Sequence, residues 1–235
     1  MKTLLRLLLL GAVLLEVGCG LPDTYYLAPP SVTTLATGTS PQFQFSNPIH
    51  DLNHDINVTF TGNEMYYKFY ANISDIDSNA YDSTNASDAA SQLTAKGFFP
   101  VCLSTDQVSS RTVPVVPIDF STAASSSTVT VTVRPQYEST YQLNTNTAVN
   151  IRRDVAQSAN PTQCKTFERN YFVSNNYAAG GADADVSAAL YSAMQLSGNT
   201  HIAMYAMSYG VIGSSTPSRS IPVYLGYISF TFTAQ

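Results

Sequence analysis

Two histidines four residues apart are the first residues in this chain whose spacing could support chemistry. His50 and His54 lie in the run His-Asp-Leu-Asn-His-Asp, and histidines at positions i and i+4 share one face of a helix, where they can bind Zn²⁺ together with a carboxylate. Pro48 precedes the run, and no glutamate lies between the histidines to act as a general base, so the zinc-protease pattern is absent. Since Asn, Asp and His are also common in loops, a surface loop is the preferred interpretation.

A second candidate metal site is a run in which oxygen-bearing residues alternate with others: Asp75, Asp77 and Asn79. The spacing matches the start of an EF-hand calcium loop, which also requires Gly at its sixth position and Glu at its twelfth. Those positions are occupied by Ala80 and Ala86. An irregular surface Ca²⁺ site is therefore one alternative, but the sequence favours a solvated polar loop, and no cofactor is expected.

The three cysteines indicate lipid attachment and a disulfide rather than catalysis. Cys19 ends a leader-like segment, which leaves Cys102 and Cys164. Two cysteines in an oxidising compartment are expected to form one disulfide that closes a long loop, and two buried free thiols are the alternative. No histidine lies near either cysteine, the Gly-x-Ser-x-Gly elbow of serine hydrolases is absent, and His201 begins a predicted core strand. The chain is therefore not expected to be an enzyme.

The first nineteen residues have the layout of a bacterial lipoprotein leader. Lys2 and Arg6 give a positive start, residues 4–15 are almost continuously apolar, and the small Gly18 precedes Cys19. The apolar run is too short for a transmembrane helix, which needs roughly 20 residues. The pattern predicts that lipid is attached to Cys19.

This leader sets the expected organisation of the chain. Residues 1–18 are predicted to be a lipoprotein signal peptide, and residues 19–31 a lipidated tether that carries acyl chains such as palmitate. The position three before the cysteine is Glu16 instead of the usual aliphatic residue. Cleavage after Gly20 by ordinary signal peptidase, which would release a soluble protein, is the alternative.

Composition indicates an exported β-rich domain and argues against nucleic acid as a partner. Only 11% of the 235 residues are charged, compared with about 25% in typical soluble proteins, and 15 are tyrosines. The net charge is −5, and the adjacent Arg152 and Arg153 are interpreted as a solvated surface pair. The Tyr-rich strands could present an aromatic platform to a glycan or peptide, although packing within the core is the preferred interpretation.

Alternation of apolar and polar residues predicts strands in both halves of the chain. The clearest period of two is Ser-Thr-Val-Thr-Val-Thr-Val at 127–133. Four further predicted strands are 40–45, 64–71, 201–210 and 220–232.

The remaining segments predict short helices and polar loops. Helix formers indicate one helix near 86–95 and another at 184–196, the second capped by Asp183. Residues 138–165 are polar and predict a loop with an edge strand.

The two ends of the chain resemble fibronectin type III-like and related Ig-like sandwiches. The resemblance is carried by Ala-Pro-Pro-Ser-Val at 28–32, the Tyr-rich strand at 66–70, and the pair Ala-Met-Tyr-Ala-Met-Ser at 203–208 and Ser-Ile-Pro-Val at 220–223. The leader adds a similarity to the uncharacterised lipoproteins of spirochaete-type bacteria.

The resemblance implies a mainly β fold, an antiparallel Ig-like sandwich formed by residues 32–235 as a single domain. It implies a large polar insertion around 74–196 that contains one or two short helices. The family's core Trp is missing, and Phe43 or Phe45 is expected in its place.

Together these features predict a lipid-anchored cell-envelope protein at the outer membrane that acts as a non-catalytic binding or interaction module. Its expected partners are the membrane, through the lipid on Cys19, and a protein or glycan ligand, with no nucleic acid. A structural periplasmic lipoprotein without a ligand and a metal-dependent enzyme are the alternatives.

Overall fold

The computed structural model of this chain describes residues 27–38, 40–47, 57–81, 86–103, 116–117, 127–134, 138–143, 148–154, 164–165, 167, 183–213 and 215–231. Within them the fold is mainly β, as predicted, with twelve strands in one hydrogen-bonded sheet. The strands are β1 (Ala36–Gly38), β2 (Gln42–Asn47), β3 (Val58–Tyr70), β4 (Phe99–Leu103), β5 (Val116–Pro117), β6 (Ser127–Thr132), β7 (Ser139–Leu143), β8 (Val149–Asp154), β9 (Cys164–Lys165), β10 (Asn199–Ile212), β11 (Thr216–Arg219) and β12 (Val223–Thr231). Each of the five predicted strands overlaps one of these.

The strands lie side by side in the order β1-β12-β10-β3-β4-β8-β7-β6-β2, with β11 beside β10, β5 beside β3 and β9 beside β8. The described pairings are antiparallel except that of β1 with β12, which is parallel. Because β2 also contacts β12 and β1, the sheet curls until its two ends approach each other. It thereby encloses an apolar core.

The middle of the chain forms a large part of this sheet, which differs from the polar insertion expected at 74–196. That segment supplies β4 to β9, and β4 joins the two halves of the sheet by pairing with β3 on one side and β8 on the other. The segment 138–165, expected as a loop with an edge strand, contributes β7 and β8 to the interior of the sheet. The inward-facing residues of β7 are Ser139, Tyr141 and Leu143, and because the first of these is polar, only two apolar residues mark the alternation in the sequence.

The main core lies between the two halves of the curled sheet. The Thr-Val alternation of β6 places Val129 and Val131 on the inner face, where both are fully buried, as a period of two requires. Aromatic residues of other strands belong to the same cluster: Phe43, Phe45, Tyr67 and Phe69. Each large apolar side chain buried in this way stabilises the fold by about 1.5–3 kcal/mol.

Two α-helices lie close to the predicted positions: α1 (Ala89–Ala95) and α2 (Ala188–Ser197). α1 follows a 3₁₀ turn at Ala86–Asp88 and buries Leu93 in a second core on the outer face of β3 and β10. α2 is capped by Ser187, whose Oγ accepts a hydrogen bond from the Leu190 N–H. The prediction that Asp183 caps this helix is wrong, because Asp183 lies four residues earlier and is buried among basic side chains.

Candidate functional site

The predicted calcium residues lie in a short loop after β3 and hydrogen-bond within it. The Asp75 carboxylate accepts hydrogen bonds from the Asn72 side-chain amide at 3.0 Å and from Ser74. The Asp77 carboxylate accepts one from the Asn79 backbone N–H at 3.0 Å. Among the residues that the structure describes, no group of three or more His, Cys, Asp or Glu side chains could hold a metal ion. The contacts described for this loop are those of local turns.

Three other predicted site residues, Cys19, His50 and His54, lie outside the described residues. The remaining histidine, His201, is buried on β10 with its Nδ1 2.7 Å from the Ser229 Oγ of β12. Burial lowers the pKa of His201, which favours the neutral form of the ring. A His–Ser pair needs an orienting group and oxyanion donors before it can catalyse acyl transfer. The ring also lies edge-to-face with that of Tyr227, with the ring centroids 6.3 Å apart, an arrangement that is consistent with cross-strand packing.

The structure joins Cys102 and Cys164 in a disulfide with an S–S distance of 2.03 Å. Cys102 lies on β4 opposite Arg152 of β8, and Cys164 lies on β9 opposite Asp154 of the same strand. The covalent bond therefore ties the short β9 to β4, and both of these strands also pair with β8. The two cysteines are 62 residues apart in the sequence, so the bond closes a long loop.

A buried ion cluster lies beneath β9, and a single sequence gives little sign of it. Arg153 is fully buried, which contradicts its interpretation as part of a solvated pair. Arg152 is about one-third exposed and bonds Glu138 at 2.7 Å. The two arginines differ because alternate residues of β8 face opposite sides of the sheet, which places Ile151 and Arg153 inside.

Two aspartates pair with Arg153. Its Nη1 donates to Asp185 Oδ2 at 2.6 Å, and its Nη2 donates to Asp183 Oδ2 at 3.2 Å. The Tyr67 hydroxyl donates to the same Asp185 oxygen at 2.7 Å, and Lys165 pairs with Asp183. Burial opposes the charge of Arg153, but the neighbouring carboxylates outweigh it and raise the arginine's pKa. The cluster binds the segment before α2 to β3 and β8, which is a structural role.

A second buried ion pair lies on the outer face of β3. The Glu64 carboxylate is fully buried and accepts two hydrogen bonds from Arg219 of β11, from Nε at 2.8 Å and from Nη2 at 3.0 Å. Burial raises the pKa of Glu64, and Arg219 opposes that shift. Because the two charges form a bidentate pair, both are engaged within the fold.

Tyrosines of β3, β10 and β12, other than the inward-facing Tyr67, cluster on the outer face of the sheet, and most of their surface is used in packing. The Tyr205 hydroxyl donates to the Ser78 carbonyl at 2.7 Å and accepts from the Ala80 N–H at 3.1 Å, which ties the loop after β3 to the sheet. Burial raises the pKa of Tyr205 and of Tyr224 to about 12. Tyr224 and Tyr227 are half-buried, so the β12 edge of the cluster leaves part of its aromatic surface accessible to solvent.

A cavity of about 190 Å³ lies where the N-terminal segment crosses β2 and β6. Phe45 contributes to it as the one apolar residue. The other lining residues are neutral and polar: Ser31, Thr33, Thr34, Gln44, Ser46 and Thr128. Five of these six are exposed, so the cavity opens to solvent. The cavity brings together hydroxyl and amide groups that can hydrogen-bond.

Comparison with protein-family models, with curated proteins and with solved structures finds no match to this chain. Among the helices that the structure describes, none combines the length and apolar character needed to cross a bilayer. The function is therefore inferred from the chain's own residues.

Proposed function

We propose that this protein is a lipid-anchored, non-catalytic binding module of the bacterial cell envelope. The disulfide between Cys102 and Cys164 is the observation that carries the proposal, because disulfides persist in oxidising compartments outside the cytoplasm. It agrees with the lipoprotein-like leader that ends at Cys19. An outer-membrane location and a relationship to the spirochaete-type lipoproteins are part of the same proposal.

The non-catalytic part of the proposal is supported by the contacts of the buried ionisable groups. Arg153 pairs with Asp183 and Asp185, and Glu64 pairs with Arg219. Catalytic acids and bases need a proton that can be exchanged with a substrate, whereas these charges are bonded to each other within the fold. The described cavity, in contrast, is lined by neutral groups, which suit reversible binding.

The Ig-like character of the fold stays a prediction. It is supported by the apolar core shared between the two halves of the sheet, which resembles the inner layer of a sandwich. An Ig-like sandwich consists of two separate sheets, whereas the strands of this chain follow one continuous hydrogen-bonded order.

Lipid attachment is tested by labelling expressing bacteria with radioactive palmitate. The full chain is expected to take up label and to fractionate with membranes, and Cys19→Ser is expected to lose both properties. A Cys102→Ser/Cys164→Ser double variant is the matched control, since it removes the other cysteines and should keep the label. An unlabelled mature protein that begins at Leu21 would refute the anchor and support cleavage after Gly20.

Protease treatment of intact cells tests the binding role. Digestion with a periplasmic control protein left intact would place the domain on the outer surface, where a ligand can reach it. Protection that is lost on lysis would instead favour a structural role inside the envelope.

A further inference from the structure

The cavity beside the N-terminal segment is built by backbone hydrogen bonds. The Ser31 N–H donates to the Ser46 carbonyl at 2.9 Å, and the Ser46 N–H donates to the Ser31 carbonyl at 2.8 Å. Ser46 in turn lies opposite Thr128 in the pairing of β2 with β6. Directly opposed residues of antiparallel strands point to the same face, so Ser31, Ser46 and Thr128 form a row of hydroxyl groups across three adjacent segments.

The chemistry of the lining defines the class of ligand. Hydroxyls both donate and accept hydrogen bonds, and the Gln44 amide adds two donors and an acceptor. None of the seven lining residues is charged. A charged ligand would lose hydration on entering without gaining an opposite charge, so the lining favours a neutral molecule with many hydroxyl groups.

The size of the cavity sets the size of the ligand. An apolar cavity of about 150 Å³ is large enough to bind benzene, and this cavity measures about 190 Å³. It therefore has room for one six-membered ring with short substituents. Because five of the polar lining residues are exposed, a ring at the end of a longer chain could enter from solvent.

We propose that this cavity binds a single pyranose ring of a neutral carbohydrate. The inference rests on the proposed role as a binding module and names its ligand class. It uses hydrogen-bonding groups from the N-terminal segment, β2 and β6, and it does not use the tyrosine cluster.

The test is titration of the purified full-length protein with methyl glycosides of glucose, galactose, mannose and N-acetylglucosamine, followed by saturation-transfer NMR and calorimetry. A ligand of this size is expected to bind with a Kd in the millimolar range. Glucuronic acid is the charged comparison and should bind at least about fivefold more weakly than glucose, because the lining holds no counter-charge.

Three variants locate the binding. Thr128→Val and Gln44→Ala each remove hydrogen-bonding groups from the cavity and should weaken binding about fivefold, the effect of one lost hydrogen bond. Thr130→Val is the matched control, because Thr130 lies two residues further along the same face of β6 and outside the cavity lining. It should bind within about twofold of the unchanged protein. Circular dichroism of each variant checks that the fold is retained.

Absence of binding by every neutral glycoside would overturn the inference, as would equal weakening by all three variants or equal affinity for glucuronic acid. Failure of these tests would leave the palmitate and protease results standing, so an anchored module with a different ligand would remain. If the unchanged protein took up no palmitate but still bound carbohydrate, the lipid anchor would be refuted and the proposed carbohydrate site would stand.

Discussion

Replacing Asp185 with asparagine tests whether the buried ion cluster holds the fold together. Asp185 accepts hydrogen bonds from Arg153 at 2.6 Å and from Tyr67 at 2.7 Å, and the Asp185 and Arg153 side chains are 1% and 0% exposed. Asparagine keeps an oxygen that can accept both hydrogen bonds, so the substitution removes the negative charge and leaves the hydrogen-bond geometry largely unchanged. Removing one partner of a buried ion pair destabilises a protein by about 3–5 kcal/mol.

The free energy of unfolding lost in Asp185→Asn should lie near the lower end of this range of about 3–5 kcal/mol, because Asp183 remains paired with Arg153. A loss of about 3 kcal/mol lowers Tm by about 6–12 °C in a protein of this length. Urea and thermal unfolding at neutral pH, with the disulfide intact, measure both quantities. Glu138→Gln is the matched control, because it breaks the partly exposed pair with Arg152, the residue that precedes Arg153 on β8. Exposed pairs contribute about 0–1 kcal/mol.

The reasoning would be refuted if Asp185→Asn and Glu138→Gln changed the free energy of unfolding by equal amounts. That result would mean that Arg153 is solvated or paired adequately by Asp183 alone. A larger effect of Glu138→Gln would reverse the assignment of the interior and exterior arginines.

Glu64→Gln should flatten the pH dependence of stability: burial raises the pKa of Glu64 above its ordinary 4.5, so the folded chain holds this proton more tightly than the unfolded chain. The contribution of Glu64 to the free energy of unfolding therefore falls as pH rises from about 4.5 through the pKa of the folded state. If urea unfolding gave the same dependence of this free energy on pH for the variant and the parent, the prediction would be wrong. Reduction of the Cys102–Cys164 bond, which spans 62 residues, should lower that free energy by about 4 kcal/mol, and a loss below about 1 kcal/mol would count against it. Gly226→Ala should lower Tm more than Gly38→Ala. Both glycines have positive φ (100° and 85°), but only a Cβ at 226 would overlap the Ala36 backbone. Equal Tm values for the two variants would show that β1 and β12 do not approach each other closely at Gly226.

Strands whose side chains alternate strictly could be predicted from the sequence. The Val and Thr residues at 127–133 alternate between buried and more accessible positions because a strand has a period of two. The strands within 138–165 were harder to predict, because the inward-facing Ser139 is polar and weakens the apolar period of two. Within this segment β7 pairs with the neighbouring β6, whereas β8 pairs with β4, which lies far away in the sequence.

The buried ion cluster could not be predicted because its members come from distant segments. Tyr67, Arg153 and Asp185 meet only when β3 and β8 have taken their places on the two sides of β4. One local signal points to a buried Arg153, because it shares a strand face with the apolar Ile151. Arginine is rarely buried unless it is paired, so a surface position was the reasonable expectation without knowledge of the aspartates.

The cavity proposed to bind carbohydrate was equally hidden, for a different reason. Serine and threonine occur throughout this chain, and no spacing distinguishes Ser31, Ser46 and Thr128 from the others. They are brought together by the register of β2 on β6 and by the bridge to the N-terminal segment. Such a site is a property of strand register, which a single sequence does not reveal.

The N-terminal segment connects the proposed anchor to the proposed ligand site. Leu27 is buried in the main core, residues 31–34 form one wall of the cavity, and β1 then pairs with β12 at the point where the sheet closes. Cys19 lies eight residues before Leu27, and an extended chain spans at most about 3.6 Å per residue. A lipid on Cys19 would therefore hold Leu27 within about 29 Å of the membrane surface. A carbohydrate bound in the cavity would contact the same segment that follows the proposed anchor, so the ligands to test first are neutral glycans at the membrane surface.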